Sequence, residues 1–368
     1  MLERLKSDLP HRSWCEIDRS ALRHNLRALA AITSAPEMMP MVKADAYGHG
    51  MIESARVFAD SGASWIGCAN VHEGMALRAA GIPLPVLLLS GFLPAEVPAM
   101  IEHRLTLTLS SVEEARQVAA LAAKRKTPLQ VQVKIDTGMG RLGVPLGQAA
   151  TLVRKVWEDP NLVLTGVYSH YACSDSDPAF TRDQWNKFQT IPSPAGIPRH
   201  ICNSAGLLAL PASAGDLVRP GVAVYGISPL ARFQSLLRPA MSWKSRIVGV
   251  RTVPRGTPLS YGATYRTPRA MRIGLASVGY GDGLFRALSN KGEVLVRGKR
   301  CRIVGRVTMD QILLDLGRVP RAAKGDEVVL LGRQGAEEIS ATEMARKAGT
   351  ICYEVWCHIT DRVTKIYR

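Results

Sequence analysis

The sequence has few aromatic residues, no long apolar run and no closely paired cysteines, and each deficit argues against a class of protein. Its 368 residues are only 6% aromatic, and no nucleic-acid-binding motif accompanies the formal net charge of +16. The longest apolar region, residues 82–93, contains two prolines and is too short to span a bilayer. We therefore expect neither a nucleic-acid partner nor a membrane span, and we interpret the basic balance as attraction for small anions.

The seven cysteines are scattered, odd in number and without a C-x-x-C pair. This pattern argues against a disulfide framework and against a zinc site, so we expect reduced thiols and no metal. The first twenty residues carry charges from residue 3 and contain no apolar stretch typical of a secretory signal. We therefore expect a cytoplasmic protein.

Alternating strand-like and helical patterns cover about residues 14–237, as is typical of repeated βα units around a parallel sheet. The strand candidates number eight, in a span of the size that a (β/α)8 barrel requires. The sequence therefore predicts an α/β fold with an N-terminal TIM-like barrel. The candidates are residues 38–44, 65–68, 86–89, 105–109, 129–136, 162–170, 199–202 and 218–225.

The candidate strand at residues 129–136 alternates regularly between apolar and polar side chains. In a barrel the apolar set would face the surrounding helices, which leaves Gln130, Gln132, Lys134 and Asp136 inside. A polar interior near the end of a strand indicates a functional site. A half-solvated edge strand would show the same alternation.

The sequence pattern changes after Arg238, where β-rich runs follow one another between glycine and proline turns. A capping box formed by Ser340 and Glu343, with Gly349 beyond it, predicts one helix at residues 341–348. We predict a barrel domain at residues 1–240, with about the first ten residues packing against the second domain, and a mostly β domain at 241–368. The predicted strands are residues 245–253, 271–278, 293–296, 302–307, 312–316 and 327–331.

A glycine pattern at residues 138–143 matches the G-x-G-x-x-G of dinucleotide-binding proteins. In such proteins an acidic residue at the end of the next strand binds the ribose. Here Asp159 precedes the next predicted strand instead of ending it. We therefore exclude NAD and FAD as cofactors of this segment.

Three strand ends carry the residue types that a phosphorylated aldehyde cofactor needs. Lys43 ends an apolar run and opens the segment KADAYGHG, where a buried lysine can act as a Schiff-base nucleophile. Asn203 and Ser204 precede an apolar helix whose free N–H groups attract phosphate, and Gly221 lets the backbone approach closely. A lysine extended along an apolar surface and an ordinary helix cap are the alternatives.

These segments resemble the bacterial alanine racemases over nearly the whole chain. The resemblance also rests on WCEIDRSALRHNLRAL near the start, LSYGATY at residues 259–265 and TICYEVWCHITDRV near the end. It implies pyridoxal phosphate (PLP) as cofactor and a homodimer with active sites at the subunit interface. It further implies two catalytic bases, Lys43, which carries PLP, and Tyr261, which acts from the neighbouring subunit.

The resemblance assigns the other site residues to a phosphate group, a ring group and a substrate group. The phosphate would be surrounded by Tyr47, Asn203, Ser204, Gly221, Val222 and Tyr353, and the pyridine ring by His170 and Arg219. The substrate would be bound by Arg141 and, from the partner subunit, by Tyr280, Arg286, Met309 and Asp310. Carbamylation of Lys134, which would position Arg141, is also implied. A direct interaction of Arg141 with an acid such as Asp136 is the alternative.

The implied activity is the interconversion of L-alanine and D-alanine, which supplies D-alanine for peptidoglycan. Because the Cα proton leaves one face and returns on the other, one base on each face is required. The alternatives are a serine-preferring or broad-specificity racemase, a PLP-dependent barrel decarboxylase and a non-catalytic PLP-binding protein. An arginine at the pyridine nitrogen, Arg219, argues against the decarboxylase, and Tyr353 argues for a small substrate.

Overall fold

The computed structural model describes residues 10–35 and 37–368, which form two compact units. One unit is Arg19–Arg238, and the other combines Pro239–Arg368 with the described residues up to Asp18. The expectation that the very start of the chain packs against the second domain falls largely on residues 1–9, outside the described residues. Within the described parts of the chain, no helix is long and apolar enough to cross a bilayer.

Strands and helices alternate along the chain as far as Arg238, as the sequence pattern predicts. In chain order they are β1 (Ser13–Ile17), α1 (Arg19–Ala31), β2 (Glu37–Met38), α2 (Met51–Ala59), β3 (Ile66–Cys68), α3 (Val71–Ala79), β4 (Val86–Leu88), α4 (Val97–Glu102), β5 (Leu107–Leu109), α5 (Val112–Arg125), β6 (Leu129–Asp136), β7 (Val144–Pro145), α6 (Leu146–Glu158), β8 (Leu162–Tyr168), α7 (Pro178–Gln189), β9 (Arg199–His200), α8 (Ser204–Ala209) and β10 (Leu217–Val218).

Eight of these strands form a closed barrel, which confirms the predicted architecture. Parallel pairing joins β3 to β4 and links β5, β6, β8 and β9 in one sheet. Parallel bridges join Met41 to Gly67 and Leu87 to Thr106. The Arg219 amide donates to the Cys202 carbonyl beyond β9, and β10 pairs with β2 to complete the ring.

The polar positions of β6 lie inside the barrel near its carboxyl end, as the alternation predicts. Gln132 and Lys134 are buried although both are polar, whereas Gln130 at the other end of the strand is exposed. The apolar residues of the strand are buried on its opposite face, toward the helices. The edge-strand alternative is therefore wrong, and a polar cluster lies at the carboxyl ends of the barrel strands.

Two predicted strands are shorter than expected because proline and a change of backbone direction interrupt them. The run at residues 38–44 is extended only as far as Met38 and then contains Pro40 and a turn that begins at Lys43. The run at residues 218–225 ends after Val218, and Pro220 precedes a short 3₁₀ turn at Val222–Tyr225. Proline lacks the N–H that a continuing strand would use.

The second unit is mostly β, as predicted. Its elements after Arg238 are β11 (Met241–Val253), β12 (Pro258–Leu259), β13 (Tyr265–Arg266), β14 (Met271–Ala276), β15 (Glu293–Val296), β16 (Lys299–Arg302), β17 (Ile312–Asp315), β18 (Glu327–Gln334), β19 (Glu337–Ile339), α9 (Ala341–Ala348), α10 (Cys352–Cys357) and β20 (Thr364–Tyr367). The side chain of Ser340 caps α9 and Gly349 ends it with a φ of 80°, which confirms that helix. The strand predicted at residues 302–307 is wrong, since β16 ends at Arg302.

The first strand of the chain belongs to this second unit. β1 pairs antiparallel with β11 and parallel with β20, within a nine-stranded sheet. From the sequence, these residues are predicted to belong to the barrel domain, because a single strand followed by a helix resembles the start of a βα unit. The pairing partners of β1 lie far away in sequence, so no local pattern reveals them.

Candidate active site

Lys43 opens a short left-handed turn at the carboxyl end of β2. The backbone of Ala44, Asp45, Ala46 and Tyr47 has φ between 52° and 56°, a region that residues with a Cβ rarely occupy. The Val42 amide donates to the Gly67 carbonyl just before the turn. The turn therefore starts from the barrel wall and leaves the Lys43 side chain half-buried.

Two carboxylates stabilise this turn and the helix that follows it. Glu73 accepts hydrogen bonds from the amides of Ala44 at 2.8 Å and Ala69 at 2.6 Å, so it joins the turn to the neighbouring strand end. Asp45 accepts from the Met51 amide at 2.7 Å and thus satisfies a free N–H at the start of α2.

A buried arginine lies among neutral groups at the next strand ends. The Arg219 guanidinium contacts Nδ1 of both His200 and His170, the latter at 3.2 Å. It also donates to the backbone carbonyls of Ser169 at 2.7 Å and Ile201 at 3.1 Å. Its buried Nε has no hydrogen-bond partner among the described residues, so one strong donor remains for a ligand.

His200 and Gln132 fix the orientation of this cluster from inside the barrel. Nε2 of His200 is 2.9 Å from Oε1 of Gln132, which can only accept, so Nε2 carries the proton and Nδ1 accepts from Arg219. The imidazole also stacks on Tyr168, with ring centroids 4.9 Å apart and planes inclined by 3°. No role for His200 is predicted from the sequence, although it lies in the candidate strand at residues 199–202, just before Asn203 and Ser204.

Burial and the charge of Arg219 decide the protonation states of these groups. Both effects, burial first, lower the pKa of His170 and of His200 well below 6.5, so both imidazoles are neutral at pH 7. Burial lowers the pKa of Arg219 to about 10, and the guanidinium keeps its charge. Burial, followed by Arg219, Arg141 and Lys43, lowers the pKa of Lys134 to about 8. The site therefore holds a concentrated positive charge.

A second cluster of predicted site residues lies around the Ser204 hydroxyl. The Ser204 hydroxyl accepts from the amides of Gly221 at 2.9 Å and Ala223 at 3.3 Å. A Cβ added at Gly221 would lie 2.6 Å from the Tyr47 hydroxyl, so only glycine leaves room for that phenol. Val222 is buried at the start of its 3₁₀ turn. Tyr47, Ser204, Gly221 and Val222 thus lie in one cluster.

Asn203 performs the capping role that was the alternative for it. Its Oδ1 accepts from the Gly206 amide at 2.8 Å and from the Ser174 hydroxyl at 3.0 Å, and its Nδ2 donates to the Tyr171 carbonyl. These contacts occupy Oδ1 at the start of α8.

The glycine-rich loop at residues 138–143 closes around a carboxylate. Asp136 accepts from the amides of Gly138 at 2.9 Å and Gly140 at 3.0 Å. Loop amides that a dinucleotide fingerprint would turn toward phosphate are thus directed at Asp136, consistent with the exclusion of NAD and FAD. Arg141 lies close enough to Lys134 to depress its pKa.

The remaining predicted site residues belong to the second unit. Tyr261 is 72% exposed and lies between Ser260 and Gly262, which both have positive φ. Tyr353 is half-buried in α10, and Arg286 opens a 3₁₀ turn at Arg286–Leu288.

Two loops of the second unit are joined side by side. The Tyr280 amide donates to the Thr308 carbonyl and the Gly281 amide to the Met309 carbonyl, each at 2.9 Å. Arg362 pairs with Asp310 at 2.7 Å and with Asp282 at 3.4 Å. The side chains of Tyr280 and Met309 remain exposed at this junction.

Comparisons with known proteins agree along the whole chain. Residues 17–229 match the family model for the alanine racemase N-terminal domain and residues 240–367 match that for its C-terminal domain. An alanine racemase of Halothermothrix orenii is 41% identical, over 97% of this chain and 97% of that protein. The solved alanine racemase of a D-cycloserine-producing Streptomyces lavendulae superposes with a TM-score of 0.91 at 36% identity, covering 98% of each chain. The solved alanine racemase of E. faecalis superposes with a TM-score of 0.91 at 32% identity, covering 97% of this chain and 98% of that chain. The chain therefore belongs to the alanine racemase family of enzymes.

Proposed function

We propose that this protein is a cytoplasmic, homodimeric, PLP-dependent racemase that interconverts L-alanine and D-alanine and supplies D-alanine for peptidoglycan. The observation that carries the proposal is the buried Arg219, whose Nε has no partner among the described residues and whose neighbours are neutral imidazoles. Such a donor suits an acceptor that must stay unprotonated, such as a pyridine nitrogen. Family membership supports the same reaction.

The barrel residues fit PLP in charge and shape. Lys43 would carry the cofactor through its amine, and Arg219 would donate to the pyridine nitrogen while His170 lies against the ring. The Tyr47 hydroxyl, which requires the space that Gly221 leaves, would bind the phosphate together with Ser204, Val222 and backbone amides. Asn203 would support this cradle by capping α8, and Tyr353 would complete it.

Two proton carriers, Lys43 and Tyr261, would act on opposite faces of the substrate. PLP supplies an electron sink that makes the Cα proton of an amino acid acidic. Lys43 would remove or return the proton on one face, and Tyr261 from the neighbouring subunit on the other.

Arg219 would also restrain side reactions. A guanidinium beside the pyridine nitrogen would repel a proton from that nitrogen. Arg219 would thereby favour return of the proton to Cα of the substrate and would disfavour transamination. The neutral state of His170 and His200 keeps both imidazoles available as hydrogen-bond acceptors for Arg219.

Arg141 would hold the substrate carboxylate, and Lys134 would hold Arg141. A buried amine with a pKa of about 8 is partly neutral at physiological pH and can add to CO2, forming a carbamate and releasing one proton. The carbamate would accept from the Arg141 guanidinium. Tyr280, Arg286, Met309 and Asp310 of the partner subunit would line the substrate entrance.

The test is exchange and loss of optical activity on separate amino acids. Purified protein with PLP is incubated in D2O with L-alanine, L-serine or L-lysine, beside Lys43→Ala and Tyr261→Phe variants. We expect fast loss of optical activity with Cα deuteration on alanine, abolished by Lys43→Ala and strongly reduced by Tyr261→Phe. A faster reaction on serine would favour the serine-preferring alternative, and CO2 release or no Cα exchange would exclude racemisation.

A further inference from the structure

Two fully buried side chains, His49 and Tyr225, contact the left-handed turn from beneath and take no part in the chemistry described above. His49 lies within the same glycine-rich segment as Lys43. Tyr225 ends the 3₁₀ turn that begins at Val222. Both residues therefore belong to segments that also carry groups proposed to bind PLP.

His49 binds the far end of the turn. Its Nδ1 lies 3.0 Å from the Tyr47 carbonyl and 3.2 Å from the Ala46 carbonyl. Because carbonyl oxygens only accept, Nδ1 carries the proton and donates to this pair. The hydrogen bond is made to the backbone of Tyr47, whose side chain would bind the phosphate.

Tyr225 binds the near end of the turn. Its hydroxyl donates to the Met41 carbonyl at 2.7 Å, two residues before Lys43. Its ring lies 4.5 Å from the His49 ring and 5.2 Å from the Tyr47 ring, centroid to centroid. His49 and Tyr225 thus form one packed pair that connects the backbone on both sides of Lys43.

The turn requires such a support because its backbone is strained. Four consecutive residues with a Cβ, Ala44 to Tyr47, occupy the left-handed region, where residues other than glycine seldom occur in sequence. Strained conformations of this kind persist only when surrounding contacts specify them. If the turn relaxed to ordinary backbone angles, Lys43 and Tyr47 would change their positions relative to each other.

We propose that His49 and Tyr225 are positioning residues that hold the left-handed turn, and thereby set the spacing between the Lys43 amine and the Tyr47 hydroxyl for PLP. This inference rests on the proposed function, in which both groups bind one cofactor molecule. It gives the two residues a role in cofactor retention that is separate from proton transfer.

The test compares variants that remove single hydrogen bonds in the full-length protein. Tyr225→Phe removes the donation to Met41 and keeps the ring. His49→Gln places its N–H near the Nε2 position, whereas His49→Asn places it near Nδ1 and should restore the bond. Tyr171→Phe is the matched control, because it removes a buried phenol donor to Ser213 in the same unit, away from the turn.

Three quantities are measured: the Kd for PLP after removal and return of the cofactor, amide hydrogen exchange at residues 43–50, and kcat with KM for alanine. We expect Tyr225→Phe and His49→Gln to raise the Kd for PLP about fivefold to tenfold, as loss of one buried hydrogen bond predicts, and to speed exchange in the turn. His49→Asn and Tyr171→Phe should stay within about twofold of the wild type.

Unchanged PLP affinity and unchanged exchange in Tyr225→Phe and His49→Gln would overturn the inference, as would an equal loss of PLP affinity in Tyr171→Phe. A wild type that retains PLP without racemising alanine contradicts the proposed function alone, since PLP affinity still reports on the pair. If the wild type binds no PLP, hydrogen exchange at residues 43–50 still decides whether the pair holds the turn.

Discussion

At the scale of single residues, the unusual feature is a buried cation that contacts no carboxylate among the described residues. Arg219 is stabilised by imidazole nitrogens and backbone carbonyls, whose partial charges accept its N–H groups without neutralising it. A carboxylate beside Arg219 would neutralise the guanidinium charge and would weaken its attraction for a further acceptor. Arg219 therefore retains its charge, and its Nε can still donate a hydrogen bond to a ligand inside the barrel.

Replacement of His200 by phenylalanine should destabilise the fold through Arg219. The phenyl ring keeps the stacking on Tyr168 but leaves one buried N–H of Arg219 without an acceptor. We expect the free energy of unfolding in urea to fall by about 1–3 kcal/mol. His72→Phe, at an exposed position of α3, should change it by less than about 0.5 kcal/mol. Equal effects of the two substitutions would contradict this account.

The same histidine should make stability depend on pH below neutrality. Burial first and Arg219 second hold the pKa of His200 below 6.5 in the folded protein, so only the unfolded chain takes up the proton as the pH falls through 6.5. Stability is therefore lost toward acid, by up to about 1.4 kcal/mol per pH unit from this group. Urea unfolding between roughly pH 5 and pH 7.5 should show a shallower slope for His200→Phe than for the wild type. Parallel slopes would exclude the effect.

The sequence singles out some of the residues that cluster at the barrel strand ends and misses others for a physical reason. Lys43, Ser204, Arg219 and Gly221 could be found because they stand where apolar runs end, and barrel strands end at a common face. His200 could not be found in this way. The tautomer and the role of His200 depend on its contacts with Gln132 and Arg219. These residues are distant from His200 in sequence and are brought to it by closure of the barrel.

At the scale of elements, Arg362 connects two loops of the second unit. Through Asp282 and Asp310 it holds together the segments that carry Tyr280 and Met309, next to the paired backbone of Gly281 and Met309. Burial of Asp282 raises the pKa of its carboxyl, so pairing with Arg362 helps to keep it ionised. The two loops thus act as one surface.

Removal of this connection should weaken substrate binding more than turnover. In Arg362→Met the two loops lose their shared cation, and we expect the KM for alanine to rise about twofold to fivefold, with a smaller change in kcat. Steady-state kinetics measure both. Arg333→Met removes an exposed pair with Glu338 in the same unit and should leave both constants unchanged. A fall in kcat with constant KM would assign Arg362 a different role.

Sequence patterns predict those helices and strands whose determining interactions lie between residues close in sequence. β6 and α9 agree with the predicted residues because alternation and capping are properties of adjacent side chains. Such patterns cannot predict the left-handed turn after β2, because no residue propensity favours its backbone angles. Contacts with residues that are distant in sequence maintain it instead. The strand predicted at residues 302–307 fails for a different reason, because Gly305 has a φ of 80°, which a continuous extended strand does not allow.

At the scale of the whole molecule, the proposed placement of Lys43 and Tyr261 on different subunits can be tested by mixing. Lys43→Ala and Tyr261→Phe homodimers should each be nearly inactive, because every site lacks one base. Exchange of subunits produces half mixed dimers, each with one intact site of two, so activity should recover to about one quarter of the wild type. No recovery after verified subunit exchange would place both bases on one chain.

The pairing of β1 also has a consequence for synthesis of the protein. β1 is translated before the barrel segment, whereas the strands on both sides of it, β11 and β20, are translated after that segment. The barrel segment can fold as a unit while translation continues. β1 therefore lacks both of its pairing partners while the barrel forms, and the sheet of the second unit can assemble around it only after β11 and β20 have been synthesised.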